Sequence, residues 1–476
     1  MFQGMRLLDT NIERESLDDH RFSFDPISAP LLDNEYSGRA QRLLAIFLSK
    51  SVESIPIFNE QELVMTAINQ FAAHVGLDWA DKKHDVCIQY ESGERRFQVI
   101  KHTPEALDAW LTELHKQVKG KIAVALELKK GPIVYALQKY PFVTVFPVHA
   151  LSLARYRQAF WPSGAKDDPL DAELALDLML RYPKKIKAIE PSNSDIRLLQ
   201  QLVEQRRLLV EDKRRFVNRI INTLKQYYPQ PLEWFSHRDS ELFCDLIIRW
   251  PSLQQLKRAR AHTVRLFLNA KGGTAVAHTE QRIELIVNAV PLTTDVSIIQ
   301  ANALMAVALA KQIKLVAENI KAYDERIEAL FDTLPDADLF KSLPSMGPCM
   351  GPRMLAALGD DRNRFNSAEE IQNYAGIAPV TERSGQKSWV HWRWQCAKFV
   401  RQTFVEWAAK TVYSSYWAGL YYQQQREKGK SHQSAVRALA FKWIRIIYRC
   451  WKTRTRYDEA KYLKALRERQ SPLLMA

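Results

Sequence analysis

Four acids at the ends of predicted elements give this sequence its clearest chemistry. Val75-Gly76-Leu77 is an apolar run ending in Asp78, and Ile122-Ala123-Val124-Ala125-Leu126 is another ending in Glu127. Lys166-Asp167-Asp168-Pro169-Leu170-Asp171-Ala172 then reads as the opening turn of a helix, where Asp168 and Asp171 share a face. Carboxylates gathered this way repel one another unless cations bind. Oxygen-only ligands suit Mg²⁺, and two such ions ~3.5–4 Å apart stabilise the attacking and leaving oxygens of a phosphodiester displacement. Asp78, Glu127, Asp168 and Asp171 are therefore candidate ligands of a pair of Mg²⁺ ions. Taken singly, each also reads as a loop acid or a helix cap; their order on one fold favours the catalytic reading. Asp81 (turn), Asp85 (strand start) and Glu173 (off the shared helix face) are set aside, and Asp167 is the hardest neighbour to exclude.

The elements that must position these acids follow from residue patterns. His74–Trp79, Asp85–Tyr90 and Arg96–Lys101 read as three hairpin-linked strands, with Glu91-Ser92-Gly93-Glu94 as one loop. Thr103 before Pro104-Glu105 predicts a helix N-terminus, and Leu107, Trp110, Leu111 and Leu114 its apolar stripe. A fourth strand at Lys121–Leu128, a helix at Pro132–Lys139, a fifth strand at Phe142–Val148 and a helix at Leu151–Phe160 complete the series. This is the order of a ribonuclease H-like (RuvC-like) mixed sheet, in which the first strand lies beside the fourth and brings Asp78 next to Glu127.

Composition bounds the rest. A chain of 476 residues is too long for one core. A formal charge of +14 suits a polyanionic partner. Residues 1–64 alone balance to −5, leaving +19 on the remainder, so this acidic leader is expected to be dispensable or disordered, with Met65 as an alternative start. Five scattered cysteines without a Cys-x-x-Cys pair argue against a disulfide framework or a zinc site. No apolar run approaches the ~20 residues of a membrane helix, so no membrane partner is expected and a cytoplasmic, nucleoid-associated location is.

After Pro183 the strands stop. Ile196, Val203, Val210, Val217 and Leu224 recur every seven residues, predicting a long helix of coiled-coil character, and Thr293–Leu334 a second that returns antiparallel. Leu343-Pro344-Ser345-Met346-Gly347-Pro348 before Arg353 has the outline of a phosphate-contacting helix–hairpin–helix or of a plain turn. The tail interleaves bases with Trp417, Tyr421, Trp443, Tyr448 and Trp451, as either an RNA-stacking surface or a packed core with a basic rim. The expected units are 1–64, an acidic leader; 65–183, the nuclease-like domain; 184–335, a helical domain; and 336–476, a mainly helical carboxy-terminal domain.

Two separated blocks carry a family resemblance. Gly76-Leu77-Asp78, Leu126-Glu127 and Asp168-x-x-Asp171-Ala172 form the first. Leu343-Pro344…Gly347-Pro348, Tyr374-Ala375-Gly376-Ile377-Ala378-Pro379, Ser384-Gly385 and Lys398-Phe399-Val400-Arg401-Gln402-Thr403-Phe404 form the second. From Phe71 onward the chain resembles the DEDD insertion-sequence transposases, RNA-guided recombinases with a RuvC-like domain. It departs from them at Ser345, where glycine is common, and at Trp394-Gln395-Cys396. The resemblance implies that the four acids bind metal and that Ser384 is a nucleophile joining the DNA 5′-phosphate. It further implies a guide RNA from the same element, donor and target DNA, and a homo-oligomer (dimer or tetramer) whose protomers share a composite site. Without it, Ser384 reads as a turn residue and Ser388 as the alternative hydroxyl. Arg383 and Lys387 are candidate phosphate holders, with Arg353, Lys398 and Arg401 as further nucleic-acid contacts. The rival functions are a RuvC-like junction endonuclease that hydrolyses with the acids alone, and an RNA-binding scaffold with an inactive nuclease fold.

Overall fold

The structure, a computed structural model, describes residues 70–160, 168–190, 192–272 and 276–474. The acidic leader, Met65 and Asp167 lie outside the described residues. The chain divides between residues 191 and 192 into two compact units.

In the first unit, β1 (Ala73–Trp79), β2 (Lys83–Tyr90) and β3 (Arg95–Lys101) pair antiparallel, and β4 (Ile122–Leu126) and β5 (Val143–Pro147) add in parallel, in the order β3-β2-β1-β4-β5. The strand order and directions are those expected from the sequence. Helices α1 (Pro104–Val118), α2 (Pro132–Leu137), α3 (Ala150–Phe160) and α4 (Asp168–Arg181) complete the unit. Thr103 caps α1 as expected, its hydroxyl accepting from Ala106 N at 3.2 Å.

Strand alternation sorts the two faces. Val75, Leu77, Val86, Ile88, Val124 and Leu126 meet Leu107, Leu111 and Leu114 of α1 and Ile133, Val134 and Leu137 of α2. On the other face Cys87, Ala123 and Ala125 meet Ala172, Ala175, Leu176 and Met179 of α4. The residues under α4 are small, and Gly76 has no side chain at all. A Cβ there would lie 1.9 Å from Ala172 O and 2.8 Å from Leu176 N. Arg95 fastens the helix farther along, donating to Glu173 Oε1 at 2.7 Å and Asp177 Oδ1 at 2.6 Å. Arg95 is opposite Gln89, itself opposite His74, so Asp177 lies toward the start of β1. Helix α4 therefore runs antiparallel to β1, and its first turn reaches the end of the sheet where β1 terminates.

The second unit is almost entirely helical. Helix α5 (Ser194–Leu224) is capped by Asn193, whose Oδ1 accepts from Ile196 N at 2.8 Å. After α6 (Gln230–Trp234), α7 (Glu241–Arg249), α8 (Leu253–Arg258), α9 (Ala261–Gly272) and α10 (Val276–Asn288), helix α11 (Val296–Thr333) returns along α5. The pairing is antiparallel: Gln205 and Arg206 meet Tyr323 and Asp324, whereas Ile220 and Leu224 share a core with Ala306–Ile313. The seven-residue repeat is only partly buried, since Val210 is 39% exposed. Each end of the helix pair is embedded in a separate core. The core around Ile196, Leu199, Val203, Ile327 and Phe331 also contains Trp407, Trp417, Trp443 and Trp451, so the segments divided at 335/336 on sequence share one interior.

The expectation of no membrane-length apolar run needs correction. Helix α11 is long and apolar enough to cross a membrane, by length and composition only. Ala306, Leu309, Ala310, Ile313, Ile327 and Phe331 of this helix are nevertheless buried within the unit.

The carboxy-terminal elements are α12 (Ala337–Lys341), α13 (Met350–Leu358), α14 (Ala368–Tyr374), the hairpin β6 (Val380–Ser384) and β7 (Lys387–His391), α15 (Lys398–Ser414), α16 (Tyr416–Glu427), α17 (His432–Thr453) and α18 (Glu459–Glu468). Ser345 takes a left-handed backbone at φ 56°, a conformation that favours glycine. Replacing Gly76 by alanine is expected to destabilise the chain by about 3 kcal/mol or more, because backbone rather than a flexible side chain must give way. The control is Gly347→Ala, where a Cβ meets nothing within 4 Å. Chemical denaturation of both variants checks this, and equal midpoints would show that α4 does not rest on Gly76.

Candidate active site

The register of the parallel pair fixes the first two acids. Leu77 is opposite Leu126, so Asp78 and Glu127, each the next residue, lie side by side where β1 and β4 end. Both continue the alternation of the α4 face. Asp78 is half-buried and Glu127 exposed. Asp168 and Asp171 occupy the first turn of α4, where the helix dipole favours acids, at the same end of the sheet. Asp168 is half-buried; Asp171 is buried and ion-paired with Arg157 of α3.

The structure thus brings all four acids to one end of the sheet without drawing them into a finished ligand cage. Among the described residues no three metal-ligating side chains stand close enough to hold an ion. The physical reason at Asp171 is its guanidinium partner, which already neutralises that carboxylate. The donors fit a hard cation in kind, since all are carboxylate oxygens. Asp85, set aside on sequence as a strand opener, lies directly opposite Asp78 on the same face, is buried, and pairs with Lys83 Nζ at 3.3 Å. Counting the β1–β2 hairpin inward from Asp78 would have found it. Glu173 behaves as expected, turning away to Arg95.

The opposite face of the same strand end holds a histidine pair. His84 is fully buried, with Nε2 2.9 Å from His102 Nδ1, and the ring of His102 packs edge-on against Trp79. Burial, then His102, pulls the His84 pKa down to about 4, with Asp85 acting weakly upward.

Ser384 lies at the tip of the β6–β7 hairpin. Gly385 at φ 57° supplies the first central residue of the two-residue turn. Ser384 is opposite Lys387, so hydroxyl and ammonium share a face; Arg383 and Ser388 form the next pair on the reverse face. The hairpin residues from Thr381 to His391 are all exposed, so the hydroxyl is not locked in an apolar interior. On the Ser384 face Glu382 accepts from Trp389 Nε1 at 3.1 Å and stands 3.1 Å from His391 Nε2.

The remaining nucleic-acid candidates separate. Arg353 has only 10% of its side chain exposed, donates to Glu406 Oε2 at 2.8 Å and stacks on Phe399, so it serves a helix–helix contact. Lys398 is exposed at the start of α15, and Arg401 lies over the Trp392 ring. The tail tryptophans are core. Trp407, Trp417, Trp443 and Trp451 are fully buried, with indole N–H groups donating to Pro344 O, Tyr457 Oη, Thr411 Oγ1 and Gly359 O.

A five-stranded mixed sheet of this order, with acids at the ends of its central strands, is consistent with the ribonuclease H-like class of nucleic-acid enzymes. Residues 75–229 match the DEDD transposase family of IS110 type, described as a transposase, and residues 337–423 match the transposase family of IS116/IS110/IS902. The chain belongs to this family of insertion-sequence transposases. Over 81% of its length it is 28% identical to 95% of a mini-circle protein of Streptomyces coelicolor named as a transposase for IS117. It is 24% identical over 79% of its length to 93% of the 44.8 kDa protein of insertion element IS116 from Streptomyces clavuligerus. It is also 25% identical over 63% of its length to 73% of the 43.6 kDa IS110 protein of Streptomyces coelicolor.

The histidine pair sets a pH dependence. The unfolded chain takes up a proton at His84 near pH 6.5, the folded chain only near 4. Stability from the neutral ring is therefore full above 6.5 and declines as pH falls through that window. In a ¹³C-histidine-labelled chain, the resonance missing from His84→Asn is expected to titrate near pH 4. A midpoint above 6 would mean a solvent-facing ring.

Proposed function

We propose that this transposase cuts and rejoins one DNA strand at a time through Ser384, with Mg²⁺ at the four acids and a guide RNA from its own element. The observation that carries this reading is the exposed Ser384 hydroxyl beside the Lys387 ammonium on a hairpin tip, in a chain whose acids gather at one sheet end. Ser384 Oγ bonds to the phosphorus at the cut, the bond from phosphorus to the 3′ oxygen breaks, and that oxygen departs with a proton as a 3′-hydroxyl. A second 3′-hydroxyl reverses the exchange and frees the serine. Because the phosphodiester energy is kept in the protein linkage, this chemistry suits rejoining better than hydrolysis does. Lys387 offsets the phosphate charge from the serine's own face, and Arg383 does so from the reverse face.

Asp78, Glu127, Asp168 and Asp171 would hold the metal, Asp171 after exchanging its Arg157 partner. Bound there, Mg²⁺ supplies charge neutralisation at the reacting phosphate. Asp85, opposite Asp78, raises the negative charge of that end. The homo-oligomer implied by the family lets the acids of one protomer serve Ser384 of another. The excess of positive charge supports polyanionic partners, both DNA and guide RNA, in a cytoplasmic, nucleoid-associated protein.

The test uses the chain copurified with its RNA and a labelled DNA carrying the element ends. A covalent protein–DNA adduct is expected with the native chain and with Ser388→Ala, and is expected to vanish in Ser384→Ala. Cleavage without any adduct would instead favour the hydrolytic junction endonuclease. Glu127→Gln is expected to lower strand cleavage by at least ~10³-fold with RNA binding nearly unchanged, as for loss of a group acting on the reacting phosphate. Equal loss of both activities would remove Glu127 from that role, and transposition surviving Asp78→Asn would favour the RNA-binding scaffold.

A further inference from the structure

Downstream of the serine hairpin the chain holds a group of cations without acids. Trp392 follows β7 directly, and two guanidiniums lie over its indole: Arg401 of α15 at 4.9 Å and Arg437 of α17 at 4.0 Å from the ring centroid. A third, Arg393, donates to Ala378 O at 3.1 Å and to Asn373 Oδ1 at 2.9 Å. Arg401 Nη1 donates to Arg393 O at 3.2 Å, and Arg437 Nη2 to Ser434 Oγ at 3.3 Å. The hydrogen-bond partners of all three are neutral oxygens. Among the described residues no carboxylate pairs with any of them, although Arg95, Arg157, Arg206, Arg207, Arg353 and Arg362 all have carboxylate partners.

Holding like charges together in a half-buried place is unfavourable unless something offsets it. Burial, then Arg401, pulls Arg437 below the usual guanidinium range, and no acid opposes them. A cation–π contact contributes only ~0.5–2 kcal/mol and leaves the net charge in place. Arg282 and Arg364 also rest on rings and neutral oxygens, but among the described residues only Trp392 carries two guanidiniums on one indole with no acid beside them. The backbone and side-chain contacts of Arg393, Arg401 and Arg437 hold them ready for an anion from outside.

We propose that Arg401 and Arg437, seated on Trp392 and backed by Arg393, form a seat for backbone phosphate of the DNA strand that leads to Ser384. The assignment to DNA rests on the proposed role of Ser384; the anion chemistry stands apart from it. Trp392 is five residues beyond Lys387, roughly 16 Å at ~3.3 Å per strand residue. Measured along a duplex axis, that length corresponds to about five phosphates of one strand at ~3.4 Å each, and to fewer on an extended single strand. The seat would thus fix a strand's register while Ser384 reacts farther along it.

The experiment measures binding of a fluorescent single-stranded DNA, and of an RNA of the same sequence, to the full chain between about 50 and 200 mM salt. Arg401→Gln with Arg437→Gln is expected to weaken DNA binding at least ~10-fold and to flatten its salt slope by about 1.4, the value for two lost phosphate contacts on a single strand. The RNA curve should fall no more than the DNA curve, and the double lysine variant should regain the DNA slope. An unchanged DNA slope, a loss confined to RNA, or failure of the lysine variant to restore the slope would each overturn the proposal. Should the glutamine variant not fold, the native chain can be scanned with neutral methylphosphonate at single positions. A position of weakened binding supports the seat, and a flat scan overturns it. Ser384→Ala should keep the full slope, and a native chain that forms no adduct while its slope is intact would sink the nucleophile and leave the phosphate seat standing.

Discussion

The acid-bearing end of the first unit depends on a missing side chain. Helix α4 comes so near β1 that Ala172 O occupies the space where a Cβ of residue 76 would be. Strand alternation then puts Asp78 on that same face two residues on, while the helix, running the other way, carries Asp171 and Asp168 toward the same level. The salt bridges of Arg95 to Glu173 and Asp177 add fastening, but they are partly exposed and worth about 1 kcal/mol or less each. Packing at Gly76 sets the position, and the ion pairs hold it. Ala123, Ala125 and Cys87 extend the same logic across the sheet, since larger residues there would lift the helix and its acids away.

Bringing carboxylates together creates an electrostatic debt that the fold meets with its own cations. Lys83 pairs with Asp85 and Arg157 with Asp171. Asp171 is nearly fully buried, and removing one partner of a buried pair typically costs ~3–5 kcal/mol. A metal ion recruiting Asp171 must therefore replace Arg157 with a comparable interaction. In the proposed metal site, assembly of the ligand set would be an exchange of one cation for another. The same accounting explains why acids on one face need not form a cage before substrate is present.

Much of this was legible in the sequence because it was local. Thr103 before Pro104, the apolar runs ending in Asp78 and Glu127, and the alternation across the hairpins each declare themselves within a few residues. Asp85 was passed over because its role comes from hairpin register, which depends on where the turn closes. Arg157 and Arg95 escaped because their partners are 14 and 78–82 residues away. The tail showed both sides of the problem. Its tryptophans alternate with bases, as a stacking surface would, yet Trp443 and Trp451 face inward with their N–H groups satisfied. Trp451 also takes one guanidinium, that of Arg362, on its ring, whereas Trp392 takes two, from two different helices.

The hairpin carrying Ser384 invites a question of magnitude. An isolated two-stranded hairpin is marginal in water, and this one is exposed along nearly its whole length. The clasp of Glu382 on Trp389 and His391 steadies the Ser384 face, but each contact is solvent-accessible. In that setting the charge of Lys387 is screened, and its effect on a nearby phosphate is of the order of 1 kcal/mol. Lowering a phosphoryl-transfer barrier takes 8 kcal/mol or more at the least, by the general scale of enzymatic rate enhancement. The hairpin can therefore deliver a nucleophile without supplying most of the stabilisation. In the proposed reaction that stabilisation would come from a preorganised, less solvated environment, such as cations bound at the acid-lined sheet end would create.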